Sequence, residues 1–435
     1  MVRLLIALYN FLIIVSKKTN LHQIVLFSFL FKIFLVIIFS NLTPISDFGW
    51  YYRQAKNVSL FNGIIYPNGT PTAYWPAGYP LILGLIFYIF NSSVFVGQLF
   101  NSIISSVSTI IFFYICLRFT KNKNISLGCS LLFAFYPDYF AYSCLISPDP
   151  LFIFLMLLSI LLFLKFENYW LSILSGLSFG LAAIVRSQAI FIPFLLLIAN
   201  CRPKIIKEKQ ILIYGVFFLT LVVSLTPWTI RNYYAFNKLI FISNNGGVNL
   251  FSGNNPYADG GYSDDCFRYL IDYTGLDEQK IIKLNEISLD SLYRKSAINF
   301  MASNPGRVVY LIPFKMYRLF AHVVGFRWIN DSMKIRNAGD TIIIYTGFIA
   351  ENLYYYGIMF SWILTWLYLI FIKKKQLFSA IENKLPVIII SYFLFIYCVV
   401  FVGTLYYNLI FIPFIILSLA QNLLIIKEFN SNHIL

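Results

Sequence analysis

The feature that most constrains this chain is a succession of apolar runs, most of them about as long as a bilayer is thick, separated by polar joints. A helix needs about 20 apolar residues to cross the hydrocarbon. Plausible crossings fall near residues 22–42, 94–117, 126–143, 149–164, 169–185, 187–200, 210–227, 353–372, 386–404 and 406–426. With 59% hydrophobic and only 12% charged residues, a chain of 435 residues has too little polar surface to cover a soluble core. The expectation is an all-α polytopic membrane protein of about ten spans, one domain over residues 1–435. The fifth and sixth runs are short, and could instead form a re-entrant pair that leaves the later orientation unchanged.

Orientation follows from the basic residues of the joints. Lys17 and Lys18, Arg118, Lys121 and Lys123, Lys165, Arg202 to Lys209, Lys373 to Lys375 with Lys384, and Lys427 all fall on one side. That side reads as the cytoplasm, with both termini on it and the protein in the cell inner (plasma) membrane. The net charge of +15 therefore reports orientation and does not point to nucleic acid. Residues 79–90 and 308–326 would each reverse the Lys373 cluster if they crossed alone, so they read as helices lying in the outer interface. The segment from Arg3 to Val15 is too short to span, lacks a small-residue cleavage site, and reads as lying on the inner surface. Six scattered cysteines give no disulfide framework or metal spacing.

Two long external segments remain, residues 43–93 and 228–352, and binding and catalysis concentrate in such loops. The three histidines are His22 on the inner side, His322 on an interfacial segment and His433 in the tail, so a base at the outer face is expected to be a carboxylate. Asp47 ranks first: beside Trp50, Tyr51 and Tyr52 at the membrane boundary, partial desolvation would raise its basicity. Capping is an even alternative, since Ser46 or Asp47 could start a helix running through Lys56. Asp138 and Asp149 follow at outer span ends, then Asp264 and Asp265.

Candidate phosphate-binding residues are Arg186 in AIVRSQAIF, Arg231 after the interface anchor Trp228, and Lys315 and Arg318, which share a helix face with His322. Snorkelling to the headgroups is the simpler alternative for Arg186. The stretch ISNNGGVNLFSGNNPYADGGY from Ile242 offers amides suited to sugar hydroxyls, Asn254 and Asn255 among them, or a set of tight turns. Trp50, Tyr51, Tyr74 and Trp75 could stack on a sugar or serve as an interfacial belt. Lys32 is costly inside the first span. Gly176, Gly180, Ala182 and Ala183 are expected at a close helix contact.

In order along the chain, SDFGWYYRQA from Ser46, WPAGYPLILGL from Trp75, SPDPLFIFL from Ser147, GLAAIVRSQAIFIPF from Gly180 and the stretch from Leu225 through Tyr262 resemble the GT-C superfamily of membrane glycosyltransferases. The nearest resemblance is to bacterial members related to protein O-mannosyltransferases and aminoarabinose transferases, glycosyltransferase family 39-like. It implies a GT-C fold and an inverting transferase that moves a sugar from a polyprenyl-phosphate donor to a hydroxyl of a glycan, lipid or protein acceptor on the extracytoplasmic face. On that resemblance Asp47 matches the base, Asp149 a second acid at the outer start of a later span, and Arg186 the arginine between the two following apolar segments. Relatives often carry an arginine before the last span's proline, where this chain has Tyr406, Tyr407 and Asn408. No cofactor and no obligatory metal are implied, because the donor leaves as a monophosphate. The rivals are an O-antigen polymerase or ligase and a lipid-linked sugar flippase, the latter weakened by the lack of an internal repeat.

Overall fold

The computed structural model describes residues 2–165, 168–200, 208–333, 337–371 and 384–431. About 80% of the described residues are helical, none forms a strand, and the one β-bridge among them pairs Ile65 with Pro71 in a loop. The first half comprises α1 (Val2–Lys17), α2 (Leu21–Ile38), α3 (Ser46–Ser59), α4 (Gly78–Phe90), α5 (Val94–Thr120), α6 (Lys123–Ala134), α7 (Pro137–Cys144), α8 (Asp149–Leu164), α9 (Tyr169–Val185), α10 (Ile192–Asn200) and α11 (Glu208–Phe236). The second comprises α12 (Gly246–Gly253), α13 (Cys266–Thr274), α14 (Glu278–Ile282), α15 (Glu286–Ser303), α16 (Pro305–Phe320), α17 (Gly325–Ser332), α18 (Ala338–Phe371), α19 (Lys384–Leu394) and α20 (Ile412–Ser431).

Among the described residues, five helices are long and apolar enough to cross a membrane: Leu21–Ile38, Val94–Thr120, Lys209–Phe236, Ala338–Phe371 and Leu405–Glu428. Two bent helix pairs, α7 with α8 and α16 with α17, raise that to seven if each counts as one span, and the other apolar helices are shorter. The protein is thus a multi-pass, all-helical membrane protein. Three expected boundaries are corrected. Residues 126–143 are not one span: the chain breaks before Pro137, which starts α7, and α7 turns by 118° into α8. Helix α11 does not stop at residue 227 but continues through Pro227 to Phe236. Helix α18 begins at Ala338, well before residue 353.

Local chemistry explains the joints. Asn20 and Gln23 form a reciprocal capping box that starts α2. Ser93 caps α5, Lys121 ends it in the left-handed region, and Asn122 caps α6 at once. On α1, Leu5, Tyr9, Leu12 and Ser16 form a buried stripe at helical spacing, and Lys427 of α20 donates to the Tyr9 hydroxyl at 3.0 Å. Helices α9 and α11 approach as expected: a Cβ on Gly180 would overlap Ser224, and one on Gly176 would overlap Thr220. Lys32 is fully buried and bonds Ser106 of α5 at 3.3 Å.

Outside this bundle, α12 to α15 enclose a separate small core of Phe251, Cys266, Leu270, Ile281, Tyr293 and Ala297. Helices α3 and α4 form a second unit, where Gly84 sits against Val58 and Ala55, but its Trp50, Tyr51, Tyr79 and Leu83 are continuous with the main core of the bundle. The region between these two units and the helix ends beneath them holds the candidate site.

Candidate active site

Asp47 lies in the first turn of α3, one residue after Ser46, whose φ of 49° turns the chain sharply into the helix. The capping alternative fails, because the N-cap position falls on Ile45 and no side chain caps the helix. Asp47 is exposed and lines a cavity of about 1470 Å³. Protein crowds it on most sides. That burial pushes its carboxyl above the usual aspartate range, the nearby Arg186 guanidinium opposes the shift, and Asp149 adds to it.

Asp149 opens α8 and is buried, its Oδ1 accepting from Arg186 Nη2 at 2.6 Å and its Oδ2 from the Ser147 hydroxyl at 2.6 Å. Arg186 follows α9, with extended backbone (φ −144°, ψ 115°) that breaks the helix and carries the side chain inward. A Cβ on Gly78 would collide with the Val185 backbone, so a glycine there lets α4 reach the arginine. The guanidinium lies over the Tyr407 ring at 5.4 Å, and its Nε is buried without a hydrogen-bond partner. An acid 37 residues away is therefore the partner that local sequence did not reveal, and the snorkelling alternative is replaced by an ion pair.

The cavity walls differ in chemistry. Phe191, Phe194, Val222, Ile230 and Phe241 line it and are also exposed, so it opens sideways through an apolar wall between α10 and α11. Tyr51, Tyr74, Trp75, Trp328, Tyr406 and Tyr407 form an aromatic wall. Trp328 meets Phe48 and Tyr406, each at 5.3 Å, and Tyr397 stacks on Tyr407 at 4.3 Å. The outer lobe is polar, with Asn244, Asn245, Asn249, Asp264, Asp290, Arg294 and Arg318.

Of the residues singled out from sequence, Asp47, Asp149, Arg186, Tyr51, Tyr74, Trp75 and Arg318 reach this cavity, Arg318 at its rim in an exposed ion pair with Asp259. Others are occupied elsewhere. Trp50 is buried behind Trp75 at 4.9 Å. Arg231 donates to the carbonyls of Ile64 and Thr72 and stacks over Trp228, which is itself buried and bonded to Ile242 and so is no interface anchor. Lys315 is buried on the Leu311 and Leu319 side of α16 and donates to Asn254 Oδ1 at 3.1 Å, so it does not share one polar face with Arg318. Asn254 and Asn255 close turns, bonding the carbonyls of Leu250 and Val400 and of Phe251 and Ser252. Asp138 accepts from Gly325 N at 2.9 Å, away from the cavity. Tyr407, Trp328, Asn244 and Asp290 were missed. The departure at Tyr406 to Asn408 was the one signal for Tyr407.

Among the described residues, no group of three or more His, Cys, Asp or Glu side chains is placed to hold a metal ion.

A multi-pass helical membrane protein whose cavity joins an unpaired carboxylate and a carboxylate–arginine ion pair to an apolar lateral opening is the class that fold and site define. Residues 75–228 match the model of the dolichyl-phosphate-mannose-protein mannosyltransferase family, which supports a GT-C type membrane glycosyltransferase. The match runs from Trp75 through Asp149 and Arg186 to Trp228, and Asp47 precedes it. Comparison with curated proteins and with solved structures returned no match.

Proposed function

We propose that this glycosyltransferase takes a sugar from a polyprenyl-phosphate donor and passes it to an acceptor hydroxyl on the extracytoplasmic face, with inversion. The observation that carries this reading is Asp47, a carboxylate left outside the Asp149–Arg186 ion pair where the polar and apolar walls of one cavity meet.

In this reading Asp47 takes the proton of the acceptor hydroxyl as that oxygen attacks the anomeric carbon from the side opposite the phosphate. The C–O bond to phosphate breaks and the lipid phosphate leaves with the bonding pair. Burial makes Asp47 a stronger base than an exposed aspartate. Arg186, oriented by Asp149, meets the developing phosphate charge with donors held in a low-dielectric setting, where such contacts count most. Asp149 is a positioning residue here, because its oxygens are already committed to Arg186 and Ser147. The isoprenoid chain lies along the apolar wall of α10 and α11, and Tyr51, Tyr74 and Trp75 flank the sugar. Of the remaining basic candidates, only Arg318 is placed at the cavity.

The test is incubation of purified protein with a panel of labelled polyprenyl-phosphate sugars. Release of free polyprenyl phosphate with at least one donor is expected. Movement of the intact lipid across proteoliposomes without cleavage of any donor would replace the transferase with a flippase.

A further inference from the structure

We infer that the outer lobe of the cavity, around Asn244, Asp290 and Arg294, is a saccharide subsite that holds an uncharged glycan acceptor. The inference rests on the transferase reading and deepens it by naming the acceptor class.

Two hydrogen bonds fix the segment that carries Asn244. Trp228 Nε1 donates to Ile242 O at 2.7 Å, and Asn244 N donates to Ala73 O at 2.7 Å. The second pins it against the loop bearing Tyr74 and Trp75. Asn244 is only 7% exposed, lines the cavity, and its Nδ2 has no hydrogen-bond partner. Buried polar groups are almost always satisfied, and an orphaned donor is destabilising. An oxygen of a bound molecule would supply the missing acceptor.

Beside it, Asp290 reaches up from α15 to the start of α12. Its Oδ1 accepts from Gly247 N at 2.6 Å and its Oδ2 from Arg294 Nη2 at 2.7 Å. A Cβ on Gly247 would run into Asp290, so the glycine is what permits this approach. The carboxylate therefore already occupies the electropositive end of α12, the place an incoming phosphate would otherwise take. Its charge is matched by Arg294, as that of Asp259 is by Arg318 at the rim. The other charged groups lining the lobe, Lys238 and Asp264, are of opposite sign.

A lobe that is densely polar but charge-balanced discriminates among acceptors. An anionic headgroup would have to compete with Asp290 for Arg294 and would lie against a buried carboxylate. Hydroxyls, which both donate and accept, can satisfy Asn244, Asn245, Asn249 and the free edges of the Asp290–Arg294 pair together. The rings of Tyr74, Trp75 and Tyr262 line the same cavity and offer apolar faces to the C–H side of a pyranose.

The experiment needs no donor. Purified full-length protein in nanodiscs is titrated with methyl glycosides of neutral hexoses and of N-acetylhexosamines, and separately with inorganic phosphate and with methyl glucuronide. Binding is read by tryptophan fluorescence and by saturation-transfer NMR. At least one neutral glycoside is expected to bind at millimolar concentration, and Asn244→Leu to weaken it about tenfold, the equivalent of ~1.4 kcal/mol. The melting temperature of that variant should stay unchanged or rise, because it removes an unsatisfied donor, whereas a purely structural asparagine would lower it. Asn249→Leu serves as a second variant if Asn244→Leu does not fold. The inference is overturned if no neutral glycoside binds, if only the charged probes bind, or if both variants bind like the parent. Lipid phosphate release, measured separately, reports on the transferase reading alone: a protein that cleaves donor but fails these titrations loses only the subsite.

Discussion

Asp47 and Asp149 face one cavity, yet their surroundings differ. Asp149 is bound by Arg186 and Ser147, while Asp47 is set close to both charges and paired with neither. Because burial lifts the Asp47 carboxyl and a base must be unprotonated, kcat/KM should rise with pH through that raised value. Its acid limb should therefore sit above the range of an exposed aspartate and vanish in Asp47→Asn, as a pH–rate profile would record. Arg186→Gln leaves a buried carboxylate without its partner, at a cost of about 3–5 kcal/mol, and should lower the melting temperature sharply. The double variant Asp149→Asn/Arg186→Gln should recover much of that stability without recovering activity, which separates the ion pair's structural part from the role toward phosphate proposed for it. At this scale the sequence was informative where chemistry forced it. An acid at a span mouth and an arginine between two apolar runs have few places to go, so Asp47 and Arg186 were legible. Asn254 and Asn255 were indistinguishable from Asn244 by composition, because all three amides sit in one polar stretch: Asn255 turns back onto carbonyls three and four residues away, whereas Asn244 is held against distant Ala73 with its side chain facing the cavity.

Elements show the same division between local and distant causes. The loop that carries Tyr74 and Trp75 is held by Glu286 at the start of α15, whose carboxylate accepts from Tyr66, Thr72 and the Ala73 amide at 2.8 to 2.9 Å. Arg231 grips the same loop through the carbonyls of Ile64 and Thr72. Neither clamp could be read locally, since Glu286 acts across more than 200 residues. Glu286→Ala should free this loop, raising protease cleavage between residues 60 and 75 and lowering kcat/KM more than it lowers the melting temperature. The α9–α11 contact was legible, because small residues at helical spacing have one common use in lipid. Gly180→Leu should separate the two helices, since its side chain would overlap Ser224 and the Leu221 carbonyl. Overpacking of this kind costs about 1–3 kcal/mol or more, visible as lost thermal stability in detergent.

At the scale of the whole molecule, the apolar runs announced a multi-pass helical protein, and their exact ends did not follow. Hydropathy cannot see that Pro137 splits one run into two helices, or that α11 and α18 continue outward beyond their apolar centres. Those extensions matter, because α11 supplies part of the apolar wall and leads into the segment carrying Asn244. On the orientation expected from lysine and arginine, the cavity would open to the outside. Membrane-impermeant maleimide should then label Asn68→Cys in intact cells and Lys123→Cys only after permeabilisation. Both positions are exposed and the five described cysteines are buried; Cys201, outside the described residues, is replaced by serine in both variants so that it adds no background.

The proposed transfer turns on Asp47 acting as the base, and the most direct measurement is single-turnover release of polyprenyl phosphate by purified parent and Asp47→Asn, each checked for an unchanged melting temperature. Removal of a general base should slow release about 10² to 10⁴-fold with donor binding retained. Release by folded Asp47→Asn at the parental rate would contradict it.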